Sequence, residues 1–527
     1  MAARCTLSGL GVALGLAGCR APEAARGAAE QAQAIAQVFE TTEPWSPRTL
    51  QPGDLAAFLA DHRQYAADSA ELDAFYARRG GQYAWLVADA PSANAEAFIA
   101  LAGLGAGPAD SVDASCASCV RDAELTLSAE FLQFARRDYG GYFARDPRAL
   151  GWFIPRAKKD YARLLDSLAA GTMDVAAYVP VHPMYEPLRA RLAPLQRLSD
   201  APWPVLALPR GVRKLEAGDT ASLLPALRSR LALLGDHRAL TGDSATAVSV
   251  RYDAALVEAV TRFQRRHGML DDGIIGAGVL RALNVTPAER LRTILVNMER
   301  LRWVPDHPPS TAIVVNIPEF RLHVLEEGRD VLTMPVVVGA VATRTVIFAD
   351  SVSMVTFSPT WTVPASITRK EILPAMRRDP GYLARHQMAI IGGTADEPLI
   401  QQRPGPQNAL GAIKFTFPNP YGIYMHDTPS RGLFAREQRA FSHGCIRVAE
   451  PLALAEYLLR ADTTWTTERM RRAMDRPQPT EVPLRTPVPV FLVYFTAWVD
   501  GDGVLQFRDD VYGHDARLAA EFFGVGG

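Results

Sequence analysis

This chain of 527 residues is notable for what it lacks. Its 56 Lys+Arg and 57 Asp+Glu nearly cancel, for a formal net charge of −1. That balance excludes a basic nucleic-acid binder and a highly charged disordered chain. Cysteine is scarce, at five residues, far below the density of a disulfide scaffold. Lysine occurs only as Lys158, Lys159, Lys214, Lys370 and Lys414, none of them three residues after a serine. An S-x-x-K acyl-enzyme site is thereby excluded. There is no G-x-S-x-G elbow and no G-x-x-x-x-G-K phosphate loop. No apolar run reaches the roughly 20 residues that a membrane-spanning helix needs. The 39 Gly and 38 Pro give ample loop punctuation without low-complexity bias, and no internal repeat is visible. The remainder is a globular composition, 48% hydrophobic and 21% charged, long enough for about three domains.

The first segment is an address. Arg4 precedes a short apolar run, Thr6 to Gly18, that ends in small residues, the pattern of an export signal. Leu16-Ala17-Gly18-Cys19 resembles the lipobox of bacterial lipoproteins, which implies cleavage before Cys19 and lipidation of its sulfur. An ordinary signal peptide cut nearby is the alternative. By the same resemblance, Arg20 after the cysteine favours the outer membrane. The expectation is a signal over 1–19, a tether over 20–50 and a periplasmic body whose only membrane contact is the anchor.

From 51 to 211 apolar residues recur at helical spacing, as in Phe131, Phe134 and Ala135, or Tyr161, Leu164, Leu165 and Leu168, so a helical scaffold domain is expected. Cys116-Ala-Ser-Cys119 lies within it. Without two further ligands at regular spacing a zinc site is disfavoured, and a small local disulfide is the best reading in an oxidising compartment. Between 212 and 285, Leu223–Leu234 and Ala255–His267 read as amphipathic helices. The fragment from Val260 to Gly276, "VTRFQRRHGMLDDGIIG", resembles the three-helix peptidoglycan-binding domain. There Phe263 and Leu270 are expected to pin a turn, and Gly273 and Gly276 to occupy positions that a β-carbon would obstruct. A connecting helix is expected over 286–310.

From about 311 the period changes to two. Ile313–Ile317, Arg321–Leu325, Val331–Val338, Val352–Trp361, Ile413–Phe417, Gly422–His426 and Val488–Val499 are strand-like. Glu327-Gly328 signals a hairpin. Residues 362–412 interrupt this pattern with a helix that Thr368 and Glu371 would open as a capping box, plausibly a lid. The β-rich domain is expected over 311–500, with 501–527 a C-terminal tail.

The chemistry concentrates in Tyr424–Val448, "YMHDTPSRGLFAREQRAFSHGCIRV". A thiolate is a strong nucleophile and histidine is the base that titrates near neutrality. Gly444 would admit a carbonyl close to the backbone, two successive N–H groups there could cradle an oxyanion, and Arg447 could hold an acidic substrate group or brace the loop. An inert buried cysteine and a zinc site formed by His426, His443 and Cys445 are the competing readings. No helical H-x-x-x-H or further Cys pair supports the zinc site.

Ser442-His443-Gly444-Cys445-Ile446-Arg447-Val448, with His426 upstream, closely resembles the catalytic motif of the L,D-transpeptidases (YkuD type). The stretches "SPTWTVPASI" at 358–367 and "RPGPQNALGAIKFTFPN" at 403–419 resemble their long, YcbB-like subfamily. The resemblance implies a multidomain α+β fold: a helical N-terminal scaffold, a small three-helix peptidoglycan-binding domain and a β-rich catalytic domain with a helical lid insertion. It implies that Cys445 is the nucleophile and His426 the base. His443, Gly444, Arg447, Tyr424, Trp361 and Asp427 would line the oxyanion and substrate site. The implied reaction takes an acyl group from a peptidoglycan tetrapeptide stem, releases D-Ala and forms a 3→3 cross-link. Carbapenems would acylate the cysteine, and no cofactor or metal is called for. A cysteine hydrolase or L,D-carboxypeptidase acting on wall peptides, and a non-catalytic peptidoglycan-anchoring lipoprotein, are the rival functions.

Overall fold

The computed structural model describes residues 48–524 except 88–89, 103, 105–115, 142, 144–145, 156–159, 170–181 and 238–247. The export signal, the lipidation site Cys19 and nearly all of the tether lie outside the described residues. The chain forms two compact units, one of residues up to 134 with 160–179, the other of 135–159 with 180–527.

The first unit is helical, with Asp54–Asp61, Ser69–Arg78, Ala93–Ala102, Ala117–Ala135 and Tyr161–Ala169 as its main elements. Phe58, Leu72, Phe75, Leu132 and Leu165 are fully buried in it. Glu124 is buried too, and accepts from the backbone N–H groups of Ala84 (2.6 Å), Trp85 (3.0 Å) and Leu86 (3.2 Å) and from the Tyr76 hydroxyl (2.8 Å). Four donors make the burial of one carboxylate tolerable, and tie helix to loop. Cys116 and Cys119 form a disulfide at the head of the helix Ala117–Ala135, the local loop that their spacing suggested.

Residues 135–159 and 180–211, expected in one scaffold domain, belong to the second unit. Phe153 N donates to Ile347 O at 2.8 Å, and Trp152, Tyr185, Leu188 and Leu195 enter the core of the β-rich domain. A period of 3.6 says that one face of a helix is buried, not which core buries it.

Within the second unit the three helices Leu224–Leu233, Ala254–Arg266 and Ala277–Asn284 enclose Leu227, Leu231, Leu256, Val260, Phe263, Ile275 and Leu283. Asp253 caps the second helix by accepting from Leu256 N at 2.9 Å. Buried Gln264 holds the following loop, accepting from Gly273 N (2.8 Å) and donating to Asp272 Oδ1 (2.8 Å) and Ile274 O (3.1 Å). Two expectations need correction. Leu270 is 60% exposed and pins nothing in this core. Gly276 has ordinary extended backbone and open space where a β-carbon would sit, whereas Gly273 has φ +69° and would place one 2.9 Å from Val257 Cγ1. The connecting helix forms as Pro287–Leu301, opened by a capping box between Thr286 and Glu289.

The β-rich domain contributes strands β1 (Thr311–Asn316), β2 (Arg321–Glu326), β3 (Arg329–Gly339), β4 (Ala349–Phe357), β5 (Trp361–Thr362), β6 (Met388–Gly393), β7 (Pro398–Gln402), β8 (Ile413–Thr416), β9 (Met425–His426), β10 (Ala440–Ser442), β11 (Ile446–Val448), β12 (Thr480–Val493), β13 (Ala497–Val499) and β14 (Leu505–Phe507). The main sheet has the order β10-β3-β11-β9-β8-β4-β12-β1-β2. The long strand β3 pairs with β2 through its first half and with β11 through its second, so the pairing closes on itself. Strands β5, β7 and β6 form a separate small sheet, with Val363, Ile367, Ile372 and Ile400 as its own core. This is the interruption expected over 362–412.

The capping box expected there is absent. The helix begins after Pro364, and Thr368 opens a π-helical stretch inside it, Thr368–Ile372, without a side-chain cap. Nor are residues 501–527 a loose tail: β14 pairs with β13, and Phe507, Tyr512 and Leu518 join the main core.

Gly273→Ala should destabilise the peptidoglycan-binding-like domain by about 1–3 kcal/mol, while Gly276→Ala should stay within about 0.5 kcal/mol. Urea unfolding of the two variants checks this, and equal losses would contradict it.

Candidate active site

Strand pairing builds the site. β9 runs parallel to β11, with Met425 opposite Ile446 and His426 opposite Arg447. Extending that register by one residue sets Tyr424 opposite Cys445, and Ile446 N donates to Tyr424 O at 3.1 Å. Met425, Ile446 and Val448 are fully buried, each worth roughly 1.5–3 kcal/mol as burial of a large aliphatic side chain. Side chains alternate along a strand, so Tyr424, His426, Cys445 and Arg447 share the other face. On the far side of β9, antiparallel β8 sets Lys414 opposite His426, with Ile413 and Phe415 buried beneath. Cys445 and His426 are diagonal neighbours, a relation of roughly 7–8 Å between backbones that side chains can bridge.

His426 is buried, and its Nδ1 donates to the Asp427 backbone carbonyl at 2.5 Å. That bond leaves Nε2 as the basic nitrogen. Burial, then the positive Arg447 and Lys414, push the imidazole down to about 3, against the pull of the Asp427 and Leu410 carbonyls. The ring is therefore neutral at pH 7, the form a base requires. Burial also pushes the Cys445 thiol up, opposed by hydrogen bonds from Tyr424 and by the charges of Lys414 and Arg447. The resting sulfur donates to Gly422 O at 3.8 Å. The pair thus rests as thiol and neutral imidazole, and the proton moves when an electrophile arrives and Cys445 turns toward Nε2.

The nucleophile sits on a braced turn. Gly444 has φ +118°, which L side chains rarely adopt. Ser442 Oγ donates to Cys445 O (2.5 Å) and accepts from Gly444 N (3.1 Å). Thr343 Oγ1 and Thr345 Oγ1 donate to Ser442 O and Gly444 O, each at 2.8 Å. The Gly444 N–H is therefore already committed within the turn.

The other expected site residues divide. Tyr424 stands opposite Cys445 when the β9–β11 register is extended by one, its ring 5.6 Å from that of His426, and burial pushes its phenol up. Trp361 lies on β5, opposite Gln402 of the small sheet. Arg447 is half-buried on the reactive face, and its Nε has no partner among the described residues. His443 turns toward the lid, its Nε2 2.7 Å from Glu371 Oε1; this is the acid that the capping box had claimed. Asp427 contributes its backbone, not its carboxylate: Oδ2 accepts from Ala412 N at 2.8 Å and Oδ1 pairs with Arg431 at 3.0 Å.

Sequence reasoning passed over Lys414, which lies in an ordinary strand pattern and declares itself only through register. It also passed over Asn408, fully buried, which donates to Pro359 O (3.0 Å) and Arg403 O (2.9 Å) and so fastens the two ends of the lid insertion.

A half-buried cysteine, a neutral histidine held by a carbonyl and flanking cations make a site suited to cysteine acyl transfer. Residues 310–490 match the family described as the L,D-transpeptidase catalytic domain (YkuD). Residues 70–192 match a scaffold domain and 222–283 a "Putative peptidoglycan binding domain". The reactive face therefore lies inside the stretch that matches the L,D-transpeptidase catalytic domain. It is 34% identical over 241 residues to a "Putative L,D-transpeptidase" of Haemophilus influenzae, a match covering 43% of this chain and 48% of that protein. The chain therefore spans about half the length of this curated relative. Among solved structures it resembles an L,D-transpeptidase from Stackebrandtia nassauensis, with 13% identity, 55% of this chain and 97% of that one covered, and a TM-score of 0.22. L,D-transpeptidase 3 from Mycobacterium tuberculosis is similar at 14% identity, with 35% and 61% covered and a TM-score of 0.19.

Because Cys445 rests as a thiol, its alkylation by iodoacetamide should accelerate steadily into the alkaline range, with an inflection above the ordinary thiol value of about 8.5. An inflection below pH 7 would indicate a preformed thiolate–imidazolium pair instead.

Proposed function

We propose that the protein is an L,D-transpeptidase that forms 3→3 peptidoglycan cross-links by cysteine acyl transfer. The observation that supports this most is the common face of Tyr424, His426, Cys445 and Arg447, fixed by the register of β9 on β11.

In the first half-reaction His426 Nε2 takes the thiol proton as Sγ attacks the carbonyl of the third residue of a tetrapeptide stem. The Tyr424 hydroxyl and the Cys445 N–H face the developing oxyanion. The carbon–nitrogen bond breaks, the imidazolium returns its proton to the departing D-Ala amine, and a thioester remains. In the second half-reaction an amine from a neighbouring stem attacks the thioester. His426 takes the proton shed by that amine and returns it to sulfur as the new amide forms. The lid carrying Trp361 and Glu371 favours the amine by limiting water. Arg447 offers its guanidinium to an acidic group of the stem.

The domain over 222–283 would hold the enzyme on its polymeric substrate. Cys19, once lipidated, would hold it at the periplasmic face of the outer membrane. Carbapenems, whose β-lactam C–N bond would break while the protonated nitrogen stays tethered to the acyl group, would stop at the thioester.

Incubation of the purified enzyme with disaccharide-tetrapeptide should yield dimers whose mass is twice the monomer less one D-Ala. Cys445→Ala should abolish them, a loss of at least about 10³-fold, while sacculus binding persists. Shortened tripeptides without dimers would instead mark an L,D-carboxypeptidase, and full activity in Cys445→Ala would overturn the mechanism. Cys19→Ala should release the protein from the membrane fraction without changing its activity in solution, and unchanged membrane retention would refute the anchor.

A further inference from the structure

Lys414 stands in the cross-strand row at the nucleophile with no assigned work. β8 places it opposite His426 on one side and opposite Thr356 of β4 on the other, and Thr356 faces Glu481 of β12. Its Nζ lies 4.3 Å from the centre of the Tyr424 ring, and extending the β9–β11 register by one sets Tyr424 opposite Cys445. Among the described residues its side chain makes neither an ion pair nor a hydrogen bond, and it is half-buried. Desolvating the ammonium of a half-buried lysine costs energy that an ordinary surface lysine avoids, so its place over the ring needs a reason. A cation over a phenol face fixes the ring and draws electron density from it, which makes the hydroxyl a better donor.

We propose that Lys414 is a positioning residue. By holding and polarising Tyr424 it keeps the phenol aimed at Cys445, and its charge favours the thiolate at the moment of attack. This rests on Cys445 being the nucleophile of the proposed reaction. The charged and titratable groups that share the face are His426 on β9 with Tyr424 just before it, Arg447 on β11 with Cys445 just before it and Glu481 on β12, with the His443–Glu371 pair on the adjoining turn and lid. Arg447 and Lys414 both lower the cost of a negative sulfur. Glu481, two strands from Lys414, opposes them weakly.

The test is the pH dependence of iodoacetamide alkylation at Cys445 in the full chain, which needs no wall substrate. Its failure is therefore distinguishable from failure of the transferase reading. Lys414→Met should move the inflection up by about one pH unit, leaving about tenfold less thiolate at pH 8. Lys414→Gln should do the same, and serves if the Met variant does not fold. Lys414→Arg, which keeps a cation over the ring, should restore the wild-type profile. With a tetrapeptide donor, the Met variant should lose kcat with little change in KM. A wild-type alkylation profile in both neutral variants, or an arginine variant as impaired as the methionine one, would overturn the proposal.

Discussion

The site depends on one short parallel pairing, Met425–His426 against Ile446–Arg447. It joins segments about twenty residues apart and decides which side chains meet. A slip of one residue would exchange the buried Met425 and Ile446 with His426 and Cys445, so the same packing that stabilises the strands also orders the chemistry. The core side chains beneath enforce this. Ile413, Phe415, Met425, Ile446 and Val448 are fully buried, and a one-residue slip would turn a strand's buried side chains to the other face.

Electrostatics follow from that arrangement. Cross-strand neighbours put a cation on each side of His426, Arg447 on β11 and Lys414 on β8. Both disfavour the imidazolium and favour a negative sulfur. The same two charges thus keep the base neutral and ease ionisation of the nucleophile when a substrate polarises it. The backbone carbonyl of Asp427 fixes the tautomer, which frees its carboxylate to brace the loop at Ala412.

The element types were legible in the sequence because period and punctuation were strong. The hairpin at Glu327-Gly328, the strand Ile413–Thr416 and the helix Ala254–Arg266 fall where alternation and helical spacing put them, whereas the short strands Ala440–Ser442 and Ile446–Val448 that flank Cys445 were not expected. What escaped was tertiary. Nothing local reveals that Trp152 and Leu188 join the β-rich core, that Leu270 points outward, or that Thr368 lies inside a helix rather than at its start. At the site, the motif marked Cys445 and His426, and strand register sets Tyr424 and Arg447 on the same face. The carboxylate of Asp427 and the ring of His443 were named from their neighbours in sequence, but their side chains serve the loop and the lid. Lys414 was invisible because its only signal is register across two strands.

The central claim is that the sulfur of Cys445, activated by His426, forms a covalent acyl intermediate. Intact-protein mass spectrometry after exposure to a carbapenem, followed by peptide mapping, reads this directly. The account predicts one adduct per chain, on the peptide containing Cys445, and its near-complete loss in His426→Ala. An unmodified chain, or an adduct of equal yield without the imidazole, would contradict it.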